Sequence, residues 1–131
     1  MAATAARAGW RSPPNSPNVL PDEAARRRRL LDDACAEAGR DEPIAFSTML
    51  GFLIGATNAE ADERANRMHQ QFGKPPGDPR LMLTGTPDQV IARLNEYAAA
   101  GVDRVMLGTL LHRDLEHIEL LGRAVAGELV P

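Results

Sequence analysis

Apolar positions recur along this chain with two different spacings, and the spacing assigns most of its elements. Leu30, Leu31, Ala34, Cys35 and Ala38 fall on one stripe at helical spacing. Pro21 suits a first helical position, Asp22 and Glu23 suit the positive dipole end, and Gly39 is placed to stop the helix. The spacing predicts a helix over 22–38. Residues 44–54 form a nearly unbroken apolar run with β-branched and aromatic members, bounded by Asp41-Glu42-Pro43 and by Gly55. A strand buried on both faces reads this way, as in a parallel sheet covered by helices. The strand is expected at about 45–50, ahead of Gly51.

Thr57-Asn58-Ala59-Glu60 has the spacing of a capping box, and Ala61, Ala65, Met68 and Phe72 follow on one face, which predicts a helix over 58–72. Thr86-Pro87-Asp88-Gln89 is a second helix start, with Val90, Ile91, Leu94 and Ala98 as its stripe and Gly101 as its end. A short strand over 102–107 comes next. Asp114 then opens a last helix carrying Leu115, Ile118, Leu121, Val125 and Leu129. Two proline-rich stretches, 11–21 and 73–79, read as loops. Strands alternating with amphipathic helices imply an α/β fold with a parallel sheet.

Composition narrows the class of function. A net charge of -3 gives no global positive field for nucleic acid, and 4% aromatics leave few rings for base stacking. Arg26, Arg27, Arg28 and Arg29 wrap around a helix instead of forming one flat patch, with Glu23, Asp32, Asp33 and Glu37 in pairing range. No apolar run reaches the roughly eighteen residues of a spanning helix. The first ten residues lack a signal-peptide stretch, and the lone Cys35 permits no internal disulfide. The default expectation is a cytoplasmic protein with no nucleic-acid or membrane partner.

Four stretches, in order, resemble the luciferase-like monooxygenases, particularly those using deazaflavin coenzyme F-420. They are Ala5-Ala6-Arg7-Ala8-Gly9-Trp10, the helix end Leu30-Leu31-Asp32-Asp33-Ala34-Cys35-Ala36-Glu37-Ala38-Gly39-Arg40-Asp41, the helix start Gly85-Thr86-Pro87-Asp88-Gln89-Val90, and Ala99-Ala100-Gly101-Val102-Asp103-Arg104-Val105-Met106-Leu107. The resemblance implies a (β/α)8 TIM barrel of which residues 1–131 are a single partial domain, its last three β/α units. A barrel typically needs about 250 residues, and this chain has 131. By resemblance, Gly9-Trp10 would be the remnant of the sixth barrel strand, 45–50 the seventh and 102–107 the eighth. The family's glycine-rich phosphate turn and five earlier strands would lie upstream. The activity implied is oxidoreduction of a small organic substrate with reduced deazaflavin F-420 or FMN, the fragment being inactive alone. The alternative is a non-catalytic remnant or oligomerising interaction module that pairs its open sheet edges with another chain. Several hundred Å² of uncovered apolar sheet would cost roughly 10 kcal/mol, comparable with a whole domain's stability of about 5–15 kcal/mol, so the expectation is a chain that is oligomeric (a homo-oligomer among the options), aggregated or molten, not a stable monomer.

Barrel logic places candidate cofactor-lining positions just past strand ends: Trp10, residues 47–51, Gly108 and Thr109. For Trp10 the competing role is a plug in the barrel end, and for Gly108 and Thr109 a plain strand-to-helix turn. Gly85 and Thr86 open a helix, whose free N–H groups bind anions, unless the capping box already uses them. No catalytic acid or base is assigned. His112 and His117 are five apart, off the three or four spacing of helical metal ligands, so no metal site is expected. His117, flanked by Glu116 and Glu119, reads as a surface residue, His69 carries no distinguishing pattern, and His112 sits in the loop after the last strand, where a site could form or solvent simply surround it. Cys35 reads as a small buried hydrophobe.

Overall fold

The computed structural model describes residues 15–129. Helix α1 (Pro21–Glu37) leads to strand β1 (Ser47–Ile54), helix α2 (Asn58–Phe72), a 3-10 turn (Pro79–Leu81) and strand β2 (Met82–Gly85). Helix α3 (Pro87–Ala99), strand β3 (Arg104–Gly108) and helix α4 (Leu115–Leu120) follow, and α4 continues into a π-helical turn (Leu121–Ala126) and a closing turn (Gly127–Leu129). The strands form one parallel sheet in the order β2-β1-β3. The strands expected near 45–50 and 102–107 therefore do lie in a single sheet. By Cα proximity the chain gathers into two compact units. Among the described residues, one joins 15–49 with Glu96–Met106, and the other joins Leu50–Asn95 with 107–129.

Two expectations need correction. β1 does not stop before Gly51 but runs through it to Ile54. Its register pairs Gly51 with Met82 of β2, and a Cβ on Gly51 would lie 2.6 Å from the Met82 sulfur. Glycine is thus a packing requirement there, not a terminator. β2 itself was not anticipated, because four residues (Met82-Leu83-Thr84-Gly85) are too few to show a period.

In the first unit Val19, Ala24, Leu31, Phe46 and Tyr97 are buried, and the Tyr97 hydroxyl donates to Val19 O at 2.7 Å. Cys35 is buried with them. Part of the proline-rich stretch read as a loop pairs with β1: Asn15 bridges Ser47 in parallel, and the amides of Ser16 and Asn18 donate to Ser47 O and Met49 O. On α1 the buried face is Ala24, Leu31, Ala34 and Cys35, while Leu30 is exposed. The arginine run is a paired surface: Arg26 and Arg27 bond Glu23, and Arg28 reaches Asp32. Arg28 also donates to Ile44 O at 2.9 Å and to Asp103 Oδ2 at 3.0 Å. That same Asp103 oxygen accepts from the Phe46 amide at 2.8 Å, and the Asp103 amide donates to Phe46 O. Gly101, at φ +94°, ends α3 beside this clamp, where a Cβ would collide with the Arg28 side chain.

In the second unit Leu53, Met68 and Leu111 form a buried cluster with Ala65 and Met82 packed against it. The apolar stripe expected on the last helix does not bury as a whole. Leu115, Ile118 and Leu129 are exposed, whereas His117 and Val125 are fully buried. The inward line runs 117, 121, 125, at spacings of four, and the wider π turn keeps that line in phase. On α2, Ala61 and Met68 are buried as expected, but Phe72 is 53% exposed and Arg64 is buried.

The Arg28–Asp103 clamp yields a direct expectation. Asp103→Ala should destabilise the protein by about 2 kcal/mol, because it removes the acceptor of the Phe46 amide and one of the carboxylates that fix Arg28. Urea unfolding measures this, and a change below about 0.5 kcal/mol would mean that the clamp contributes only as a surface pair.

Candidate functional site

The densest buried polar cluster in the second unit lies where β1 ends. Parallel strands deliver their last backbone groups into a region with no further ladder partners, and side chains must supply them. Ile54 shows how this is done. Its amide donates to His117 Nε2 at 2.9 Å, and its carbonyl accepts from Arg64 Nη1 at 2.9 Å. Arg64 also donates through Nε to Asp114 Oδ2 at 3.0 Å. Asp114 caps α4 through Oδ1, which accepts from the His117 amide at 3.1 Å, while Oδ2 also accepts from Arg67 Nη2 at 3.1 Å. One carboxylate thus joins α2 to α4, and both helices grip the end of β1.

The electrostatics follow from burial and charge. Burial alone would raise the Asp114 carboxyl, but hydrogen bonds from Arg64 and the His117 amide, with the charges of Arg64 and Arg67, outweigh it and hold the group below its ordinary range. The His117 ring is pushed down to about 4, first by burial and then by the Arg64 charge, with Asp114 offsetting only part. A neutral ring that accepts at Nε2 carries its proton on Nδ1. That buried Nδ1 has no hydrogen-bond partner among the described residues, and the ring lies 4.6 Å from the Phe52 ring at a tilt of 41°. His117, expected on the surface, is therefore corrected to a fully buried member of the network.

Beside the cluster is a hollow of about 350 Å³, lined by Arg67, Gln71 and Phe72 of α2 and by Leu110, His112 and Arg113 of the loop after β3. His112 is exposed there, with Nδ1 3.2 Å from Leu110 O.

The candidate cofactor-lining residues do not converge. Trp10 lies outside the described residues. Residues 47–51, expected just past a strand end, are inside β1, where the Ser47 hydroxyl donates to Asn15 Oδ1 and the Thr48 hydroxyl to Ser16 O. Gly85 and Thr86 open α3, but its cap is closed. The Thr86 amide donates to Gln89 Oε1 at 3.0 Å, and the Gln89 amide faces Thr86 Oγ1 at 3.5 Å. Thr109 accepts from the Leu111 amide at 3.1 Å and so completes a turn. Gly108 is exposed, and a Cβ there would meet nothing within 4 Å. Of these candidates Gly108 borders open space, while the polar groups of Thr86 and Thr109 engage their own turns.

Arg64 and His117 were missed by sequence reasoning. A signal for Arg64 existed: it sits three after Ala61 and four before Met68, a charged residue on the apolar stripe. His117 carries the same signal relative to Leu121 and Val125.

No family model and no curated protein sequence matches the chain. Solved structures do. The oxygenating constituent of 3,6-diketocamphane monooxygenase from Pseudomonas putida, in complex with FMN, matches with TM-score 0.73 and 17% identity over 99% of this chain and 45% of that one. A monooxygenase from Streptomyces bottropensis matches with TM-score 0.67 and 20% identity over 98% of this chain and 45% of its own. The coenzyme F-420 dependent tetrahydromethanopterin reductase from Methanopyrus kandleri matches with TM-score 0.67 and 19% identity over 99% of this chain and 49% of its own. The fold is a partial (β/α) barrel. The chain spans about half the length of the solved proteins it matches.

His117 gives the site a pH signature. The unfolded ring takes up a proton near the ordinary histidine value of 6.5, whereas the folded ring resists until about 4. Stability is therefore full above pH 6.5 and should fall by about 1.4 kcal/mol per unit between those values, about 3 kcal/mol in all. Urea unfolding at several pH values measures the slope. His117→Gln keeps an acceptor for the Ile54 amide but cannot titrate, so it should flatten the window. An unchanged slope would show that His117 is not its source.

Proposed function

We propose that this chain supplies the C-terminal part of the barrel of a luciferase-type oxidoreductase, acting on a small organic substrate with FMN or reduced deazaflavin F-420 in the cytoplasm. The observation that carries the reading is the match of 99% of the chain to an FMN-bound monooxygenase at TM-score 0.73. Among the described residues no helix is long and apolar enough to cross a membrane. When bound, the cofactor would supply the hydride or oxygen chemistry. The residues described here do not cradle it. Gly108 offers open space, but the donors of Thr86 and the hydroxyl of Thr109 are taken within their own turns. No catalytic step is therefore assigned to any side chain, and the work of this part is to hold the ends of β1 in place. Trp10, Gly108 and Thr109 remain the positions proposed to touch the ring system.

A second reading, an interaction module that turns nothing over, is favoured by Met49 of β1 and Met106 of β3, which are 45% and 40% exposed. Apolar strand residues left open in this way suit a contact with a second chain, including another copy.

Fluorescence titration separates a scaffold from a complete site. The isolated chain should bind neither FMN nor F-420 at micromolar concentration, which means a binding free energy weaker than about −8 kcal/mol. Micromolar or tighter affinity would place the whole cofactor site within this chain and overturn the scaffold assignment.

A further inference from the structure

The hollow between α2 and the loop after β3 has a chemical character that the barrel reading does not use. Its volume, about 350 Å³, lies at the small end of the range for ligand pockets. Its apolar walls are Phe72 and Leu110, 53% and 52% exposed, two large hydrophobic side chains left open on one feature. Its polar walls are cationic. Arg113 is exposed and, among the described residues, has no ion-pair or hydrogen-bond partner. Arg67 spends Nη2 on Glu63 and Asp114, and its Nε is buried without a partner among the described residues.

The one carboxylate on the wall does not cancel this charge. Asp114 already accepts from Arg64, Arg67 and the His117 amide, so both its oxygens are engaged. Arg64 pairs with Asp114 and Glu60, and Arg67 with Asp114 and Glu63, so among the described residues Arg113 is the guanidinium of this hollow that no carboxylate engages. Guanidinium groups match the oxygens of phosphates and carboxylates as planar forks, and an aromatic wall beside them favours a ligand with an apolar body.

We propose that this hollow binds a small oxyanion carried on a short apolar stem, with Arg113 and Arg67 taking the phosphate or carboxylate and Phe72 and Leu110 taking the stem. Gln71 and His112 line the same hollow and supply further polar contacts. The binding needs no redox partner, so it stands independently of the proposed oxidoreductase role.

The test is a titration of the full ¹⁵N-labelled chain with phenyl phosphate, followed by amide chemical shifts. Phenylacetate, inorganic phosphate and benzyl alcohol serve as separate arms. Saturable shifts should centre on Gln71, Phe72, Leu110, His112 and Arg113. Phenyl phosphate, phenylacetate or both should bind at least about tenfold more tightly than inorganic phosphate or benzyl alcohol, and the stronger of the two names the oxyanion. Arg113→Gln should weaken that binding by about tenfold with the unfolding midpoint unchanged, because Arg113 supports no other contact. Phe72→Ala should weaken it through the stem, narrowing the gap to inorganic phosphate. Shifts that fail to saturate, shifts scattered elsewhere, or an affinity indifferent to both substitutions would overturn the proposal.

Discussion

A strand buried on both faces can leave none of its backbone polar groups unpaired, and β1 meets that demand where its sheet partners run out. All of its residues except Met49 and Gly51 are buried. Just ahead of its first residue, Asp103 takes the Phe46 amide while Arg28 takes Ile44 O. At its last residue, His117 takes the Ile54 amide and Arg64 takes Ile54 O. Each of these arginines is in turn bound to an aspartate, Asp103 or Asp114. The solution recurs at both ends: a guanidinium on a carbonyl, an acceptor on an amide, and a carboxylate that fixes the guanidinium. A buried charge pair stabilises only when its remaining hydrogen-bonding capacity is used, and here backbone groups use it.

This arrangement bears on function through position. Barrel enzymes react at the C-terminal ends of their strands, and the Arg64–Asp114–His117 network occupies that end of β1. Its groups are turned toward backbone and toward each other, not toward open space. It therefore acts as a support, one that keeps the strand end and the start of α4 in a fixed relation. The adjoining hollow, with Phe72 exposed and Arg113 unpaired among the described residues, is where the same loop meets solvent with chemistry to spare. Support and binding surface are thus neighbours built from α2 and the loop after β3.

Local signals were legible in the sequence and long-range ones were not. The Thr57 cap accepts from the Glu60 amide, Thr86 and Gln89 close on each other, and Asp114 caps α4, each within three residues and each readable from spacing. The parallel α/β order was readable because β1 is an unbroken apolar run. β2 was not, since four residues show no period and its place depends on Met82 meeting Gly51. Arg64 drew no reading and His117 was taken for a surface residue, for a related reason. Their partners, Asp114 and Ile54, lie 50 and 63 residues away, so a charged or polar residue on an apolar stripe looked like an outward one. The resemblance to luciferase-like enzymes reached the fold correctly, but it could not locate a cofactor site, because Thr86 and Thr109 spend their polar groups locally.

The central claim is that side chains seal both ends of β1 as firmly as the sheet seals its middle. Amide hydrogen exchange measured residue by residue tests it most directly. The Phe46 and Ile54 amides, which donate to Asp103 and His117 and not to a neighbouring strand, should exchange as slowly as the ladder-bonded amides of β1. Exchange at either position as fast as that of the exposed Lys74 would show that the strand end opens freely, and would contradict the account.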